Sequence, residues 1–248
     1  MAKIVLPISI VLVLAAGCID ASQKPCVDAS GAPSAGNAAP AGATASNLKT
    51  CADPGTNPDA LIDDFEDGDS HAVVLDGRDG YWWTHHDPNG STISPEKFAP
   101  EEGGANGTGK ALHVSGRTAS SDGAYGSSIG LNFGNSLYDA SKYTGISFKA
   151  KVGPNSTKKV RFKIGDVNTH EQLGKCKSCW NHFGKDMELS TEWKEYRVMF
   201  ADTSQAAGWG DPRPKSITPA ALASIDFTVG PGATFDLWVD DLQFLTCP

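Results

Sequence analysis

The stretch that most constrains this chain is its last one, Phe235-Asp-Leu-Trp-Val-Asp-Asp-Leu-Gln-Phe244. Its apolar residues recur at the two-residue period of a strand. Simple alternation puts Trp238, Asp240, Leu242 and Phe244 on one face and Leu237, Val239, Asp241 and Gln243 on the other. If the first of these faces is the core, Asp240 is a carboxylate among aromatics. Left unpaired there it costs roughly several kcal/mol, so a cation or dense hydrogen bonding is expected beside it. A matching acidic stretch, Leu61-Ile-Asp-Asp-Phe-Glu-Asp-Gly-Asp69, opens the same region. First and last strands that meet would bring Asp64, Glu66 and Asp240 into an oxygen cage of the kind that calcium prefers.

Between these two stretches the pattern is uniform. Strands are expected near Ala60–Phe65, Tyr81–His85, Lys110–Ser115, Tyr125–Phe133, Gly145–Val152, Lys159–Asp166, Asp186–Ser190, Trp193–Phe200, Ser224–Val229 and Thr234–Leu245. All are short and are separated by clusters of Gly, Asn, Asp and Pro. Within Lys159–Asp166, Val160, Phe162 and Ile164 share one face, and Lys159, Arg161 and Lys163 the other. The one helical turn that the pattern suggests is Thr218–Ala223, with Thr218 as cap and Pro219 at the first helical position. There is no β-α-β alternation and no internal repeat. The fold class is all-β, an antiparallel β-sandwich of jelly-roll type.

The N-terminal part reads differently. Lys3 precedes an apolar run, Ile4 to Leu14, that is too short to span a bilayer and fits a secretory signal. Its end, Leu14-Ala-Ala-Gly-Cys18, resembles the bacterial lipoprotein signal, which implies cleavage after residue 17 and lipidation of Cys18. The competing reading is an ordinary signal cleaved nearby. Residues 18–50 are rich in Ala, Gly, Ser and Pro and cannot bury enough apolar surface to offset ordering, so a flexible, disordered tether is expected. The folded domain is then 51–248. Cleavage removes Lys3 and no acid, taking the formal net charge from −8 to −9. Such a chain has no electrostatic footprint for nucleic acid, and any membrane attachment comes from the lipid alone.

Six cysteines in an exported chain point to disulfides once the lipid anchor is set aside. Cys51 and Cys247 bracket the domain and are expected to pair; the sequence also leaves open Cys26 with Cys51. Cys176 and Cys179 form a C-x-x-C motif. A redox centre would open a helix beside a parallel sheet, and zinc would need a second ligand pair, so a small loop-stiffening disulfide is the simpler reading.

The sequence contains no nucleophile elbow, no zinc-protease motif and no phosphate loop. Acids are plentiful, but none stands out as the paired carboxylates of a glycosidase; Asp76, Asp79 and Asp87 read as solvated loop residues. The aromatics say more. Phe148, Phe162, Phe227 and Trp238 look like core. Trp82 and Trp83 are adjacent, so on one strand one of them faces outward, whereas Trp180 and Trp209 lie in Gly- and Asn-rich loops. An exposed indole among Asn, Asp, Gln and His offers an apolar plate for a sugar ring and polar groups for its hydroxyls. Trp82, Trp83, Trp180 and Trp209 are therefore the candidate ligand-binding residues. Tryptophans that plug the ends of the sandwich are the alternative.

Five segments together resemble a known family. They are Ile62-Asp-Asp-Phe-Glu-Asp-Gly-Asp69, Gly80-Tyr-Trp-Trp83, Trp193-Lys-Glu-Tyr-Arg-Val-Met-Phe200, Gln205-Ala-Ala-Gly-Trp-Gly210 and Leu237-Trp-Val-Asp-Asp-Leu-Gln-Phe244. Taken in this order they are similar to galactose-binding-domain-like jelly rolls, in particular carbohydrate-binding modules of β-glucan-binding type and single-domain bacterial surface lipoproteins. The resemblance implies a structural calcium between first and last strands, which falls on Glu66 and Asp240. It also implies a non-catalytic lipoprotein of the cell envelope, on the outer membrane or cell surface, that binds a polysaccharide or envelope glycan. A protein-interaction role for the same sandwich is the second reading, and a polysaccharide hydrolase or lyase the third.

Overall fold

Apolar side chains at every second position make strands wherever a sheet face can be buried on one side only. The computed structural model describes residues 51 and 55–247, without 106 and 108. The expected signal peptide and tether, the expected lipidation of Cys18 and the pairing of Cys26 fall outside the described residues. Twelve strands form among those described. In chain order they are β1 (Leu61–Asp63), β2 (Trp82–His86), β3 (Thr92–Ser94), β4 (Glu101–Glu102), β5 (Lys110–Arg117) and β6 (Ser127–Asn132). There follow β7 (Gly145–Val152), β8 (Lys159–Asp166), β9 (Phe183–Glu188), β10 (Lys194–Met199), β11 (Leu222–Val229) and β12 (Thr234–Leu245).

Two antiparallel sheets stack face to face. The first runs β10-β7-β12-β5-β3, with β1 added to β12 and β4 to β5; the second runs β2-β6-β11-β8-β9. The strand β12 is the hinge of the first sheet. Its first half pairs β5, and its second half pairs β1, so β1 and β5 share one of its edges. Phe148 from the first sheet meets Phe162 and Phe227 from the second, with ring centroids 4.9–5.1 Å apart. In β8 the expected faces hold: Val160, Phe162 and Ile164 are buried, and the alternating cations point away from the core.

The expected pairing of the chain ends is present. Cys51 is bonded to Cys247 across a sequence separation of 196. Closing so long a loop stabilises the fold by about 5 kcal/mol in the chain-entropy account. Cys176 and Cys179 are bonded to each other within their loop.

Three expectations need correction. Trp238 is not core. It is half-buried on the outer side of the first sheet, while Leu242 and Phe244 are buried inside. The cause is a bulge: the register of β12 against β7 shifts between Asp240 and Gln243, and Asp241 has φ +49°. One extra residue there reverses the alternation. The turn at 218–223 shrinks to one 3₁₀ turn, Pro219–Ala221, and Thr218 makes no side-chain cap. Its backbone N–H is taken instead by the Asp166 carboxylate at 2.9 Å. A second 3₁₀ turn, Pro58–Ala60, precedes β1, capped by Asn57.

Candidate functional site

The outer faces of the two sheets differ in one respect that bears on ligand binding. On the first sheet the aromatic rings cover each other. His113 stacks on Trp238 with centroids 3.9 Å apart and planes 10° from parallel. On the same row the Lys151 ammonium lies 4.9 Å from the Trp238 ring and 4.8 Å from that of Trp193. The His113 ring nitrogens meet Glu101 at 2.8 Å and Asp236 at 2.9 Å. In this ladder the Trp238 ring is stacked by His113 and approached by Lys151.

On the second sheet one half-buried ring makes no ring-stacking or cation contact with the other described residues. Trp83 spreads across Gly130, where an added Cβ would come within 2.4 Å of the indole carbon Cζ2. Its N–H donates to the Asn132 side-chain oxygen at 3.2 Å. The bare glycine and that hydrogen bond fix the indole, which stays half-buried on the outer side of the sheet. The floor beside it is polar because β6, β11 and β8 alternate. Gly130, Asp226 and Lys163 form one cross-strand row, and Asn132, Ser224 and Gly165 the next. Asp226 is buried, and its carboxylate receives the Lys163 ammonium at 2.9 Å and the Thr228 hydroxyl at 2.6 Å. Arg161, a row further on, pairs with Asp186 at 3.0 Å.

The floor continues past Gly165 to His182, whose ring would touch a Cβ placed there. His182 is buried with Nδ1 2.8 Å from the Thr169 hydroxyl. Burial pushes its imidazole down to about 4, against the attraction of Asp226, so it is neutral near pH 7. Trp180 packs edge-on to it, with centroids 5.8 Å apart, and is 45 % exposed. Trp209, 46 % exposed, projects from the neighbouring loop. Five strands about 4.8 Å apart place the two ends of this face roughly 19 Å from each other.

Of the predicted ligand residues, then, Trp83, Trp180 and Trp209 are accessible to a ligand. Trp82 is not: it is buried against Phe65 and Phe98, and its N–H donates to Asp63 at 2.7 Å. Side chains that sequence reasoning passed over join the face at its edge strand. Tyr125, 52 % exposed, stacks over His85, and Tyr81, 60 % exposed, over His71. The shared parity of Tyr81, just before β2, with Trp83 and His85 was the available signal; Tyr125, expected to open a strand on the parity of the buried Ile129, lies instead in the loop before β6. Asp87, expected in solvent, is buried and collects four hydrogen bonds, from Asn89, Ser91, Tyr125 and Gly126. Asp76 likewise accepts from the Tyr138 hydroxyl and pairs with Lys142.

The three predicted calcium ligands separate. Among the described residues no three acidic, His or Cys side chains converge on one point. Asp64 lines a cavity with Asp241, Glu195 and Lys149. Glu66 and Asp240 do face a common loop. Glu66 accepts from the Lys110 N–H at 3.2 Å, and a Cβ on Gly109 would strike its carboxylate. Asp240 accepts from the Ala105 N–H at 2.7 Å. Burial, with the nearby charges of Asp241 and Glu66, pushes the Asp240 carboxyl up to about 6 despite its backbone hydrogen bonds.

Residues 49–247 match the sequence profile of the carbohydrate binding domain of family 11. The chain belongs to that family. A search of curated protein sequences found no match. Among solved structures the family 11 domain is similar to the family 11 module of the cellulosomal cellulase Lic26A-Cel5E of Clostridium thermocellum. Identity is 20 %, the TM-score 0.53, and the match covers 74 % of this chain and 92 % of that one. A Clostridium thermocellum family 11 module in complex with a β-1,3-1,4-mixed-linked tetrasaccharide gives 20 % identity and TM-score 0.53, covering 75 % and 94 %. A family 30 carbohydrate binding module gives 12 % and 0.50, covering 76 % and 99 %. At these identities the likeness establishes the jelly-roll fold of the family 11 domain.

Proposed function

We propose that this protein binds a β-glucan-like polysaccharide, without catalysis, across the outer face of its second sheet. The observation that carries this reading is the contrast between the two faces: the second carries the exposed rings of Trp180, Trp209, Tyr81 and Tyr125 around a polar floor with Trp83, whereas on the first Trp238 is engaged by His113 and Lys151. Trp83, Trp180 and Trp209 are the sugar platforms, and Asn132, Ser224 and Asp226 the polar floor. A relative solved with a mixed-linked β-glucan tetrasaccharide supports this glycan class over others. Binding rather than hydrolysis is supported by the carboxylates on the face. Asp226 and Asp186 are each paired with a cation, which does not suit a general acid that must carry a proton.

The reading includes a structural calcium held by Glu66 and Asp240. Calcium takes six to eight oxygens, so the loop that packs against both carboxylates would add its carbonyls. It also includes lipidation at Cys18, which would place the domain on a bacterial envelope at the end of the tether. The test is affinity electrophoresis of the purified protein through gels containing soluble β-glucan, xylan, mannan or galactan. Retardation by β-glucan, lost on Trp83→Ala, is the expected result. Migration unaffected by every polysaccharide would overturn the reading and favour a protein partner for the same sandwich.

A further inference from the structure

Trp180 and Trp209 lie on different loops, yet one buried side chain joins them. Asn181, 3 % exposed, donates from Nδ2 to the backbone carbonyls of Ala206 and Trp209, at 3.0 and 2.6 Å. Its Oδ1 accepts from the Ala206 N–H at 2.8 Å, and its own carbonyl accepts from the Gln205 side chain at 2.8 Å. A single asparagine side chain thus satisfies backbone groups of both Ala206 and Trp209. On its other side it is fixed to Trp180, which holds φ +72°. That region is uncommon for a bulky residue and persists only where the surroundings impose it. Here they do so from both directions. The Trp180 N–H donates to the Thr169 carbonyl at 2.8 Å, and Ser178, between the bonded cysteines, forms an antiparallel bridge with Asp211.

We infer that Asn181 is a positioning residue that makes Trp180 and Trp209 one subsite at the far end of the glycan-binding face. The inference rests on the binding reading above and goes beyond it, because it states how two loops act together. The Gln205 side chain and the backbone bridge at Ser178 and Asp211 also tie the two loops, but the Asn181 side chain is what holds the Ala206 and Trp209 backbone against the segment that carries Trp180. Trp83 lies at the opposite end on β2 and is independent of it.

The test is a mutant cycle on the full-length protein with soluble β-1,3-1,4-glucan as probe. Asn181→Ala is expected to weaken binding about tenfold, as for loss of two aromatic contacts. In that background Trp180→Ala and Trp209→Ala should add less than about twofold each, while Trp83→Ala keeps its full effect, the pattern of coupled and uncoupled sites. Equal effects of the tryptophan substitutions with and without Asn181 would overturn the inference. Because Asn181→Ala removes a buried residue, Gly210→Ala provides a second route. Gly210 has φ +94°, and a Cβ there would lie 3.0 Å from Asn181 Cβ and Nδ2, crowding the clamp without removing it. It should reproduce the same pattern. A readout without glycan separates this inference from the binding reading. Acrylamide quenching, followed in single Trp→Phe backgrounds, should rise for Trp180 and Trp209 together in Asn181→Ala. A rise at one alone refutes the coupling whether or not the glucan binds.

Discussion

The imidazole of His182 is buried 2.8 Å from the hydroxyl of Thr169, beside Gly165 at the β9 end of the second sheet. Burial is the main reason its folded pKa falls to about 4; Lys163 and His170 act in the same direction and Asp226 opposes them. The unfolded chain binds this proton near the ordinary value of about 6.5. Stability from neutral His182 is therefore complete above that value and is lost as pH falls toward 4, by about 3 kcal/mol in total. Denaturant titrations between these pH values should show the decline, and His182→Gln should flatten it. An unchanged slope in His182→Gln would assign the proton elsewhere.

Asp87 works in the opposite sense. Burial alone would raise its carboxyl, but hydrogen bonds from Gly126, Ser91, Asn89 and Tyr125 outweigh burial and hold it to about 2. Its contribution is present above the ordinary carboxylate value and disappears as pH drops through the folded one. Because two of these donors are backbone groups of the turn that carries Tyr125, Asp87→Ala should release that turn. Faster amide exchange at Tyr125 and Gly126, with Trp180 and Trp209 unaffected, is the expected signature; unchanged exchange there would show that Asp87 does not brace the turn.

The calcium expectation narrows to Glu66 and Asp240. An ion that binds the folded state alone stabilises by mass action, about 3 kcal/mol at a hundred times its Kd. Chelation should lower the melting temperature by several degrees, and calcium should restore it. Asp240→Asn and Glu66→Gln should each abolish the response, while Asp64→Asn should leave it intact. A melt insensitive to chelator in the parent protein would mean that the Ala105 and Lys110 amides suffice for the two carboxylates.

These residues also show what could be read from sequence and what could not. The strands β5, β7 and β8 announced themselves because alternation is local and each is half-buried. The closing disulfide followed from the topology of a sandwich, in which first and last strands meet at β1 and β12. The face of Trp238 could not be read, because Asp241 shifts β12 by one residue, and a bulge leaves no mark in an alternating string. Nor could the burial of Asp87 or the pairing of Asp76, which depend on Gly126 and Tyr138, partners far along the chain. Trp180 and Trp209 were legible as loop indoles. Their joint fixation by Asn181 was not, since it depends on hydrogen bonds to backbone atoms, which carry no residue identity.

Trp82 and Trp83 supply the sharpest separation of core from surface, because they are neighbours with the same side chain on opposite faces of one strand. Trp82 packs between Phe65 and Phe98 and satisfies the buried Asp63 carboxylate with its N–H. Burial pushes that carboxyl up to about 7 even with this bond. Trp82→Ala should therefore cost about 3–5 kcal/mol from the cavity, with more from the lost partner. Trp82→Phe keeps most of the volume but not the N–H, and isolates the hydrogen bond at about 1–3 kcal/mol. Trp83→Ala removes a half-buried indole from the outer side of the sheet, so it should cost clearly less stability than Trp82→Ala. If Trp83 is a sugar platform, the same substitution should weaken β-glucan binding about tenfold or more, the loss typical of an aromatic anchor. Urea titration and isothermal calorimetry on these three variants give both numbers. A Trp83→Ala protein that is destabilised as much as Trp82→Ala would show that the Trp83 indole belongs to the fold, and the sugar platform would have to be sought at Tyr81 and Tyr125.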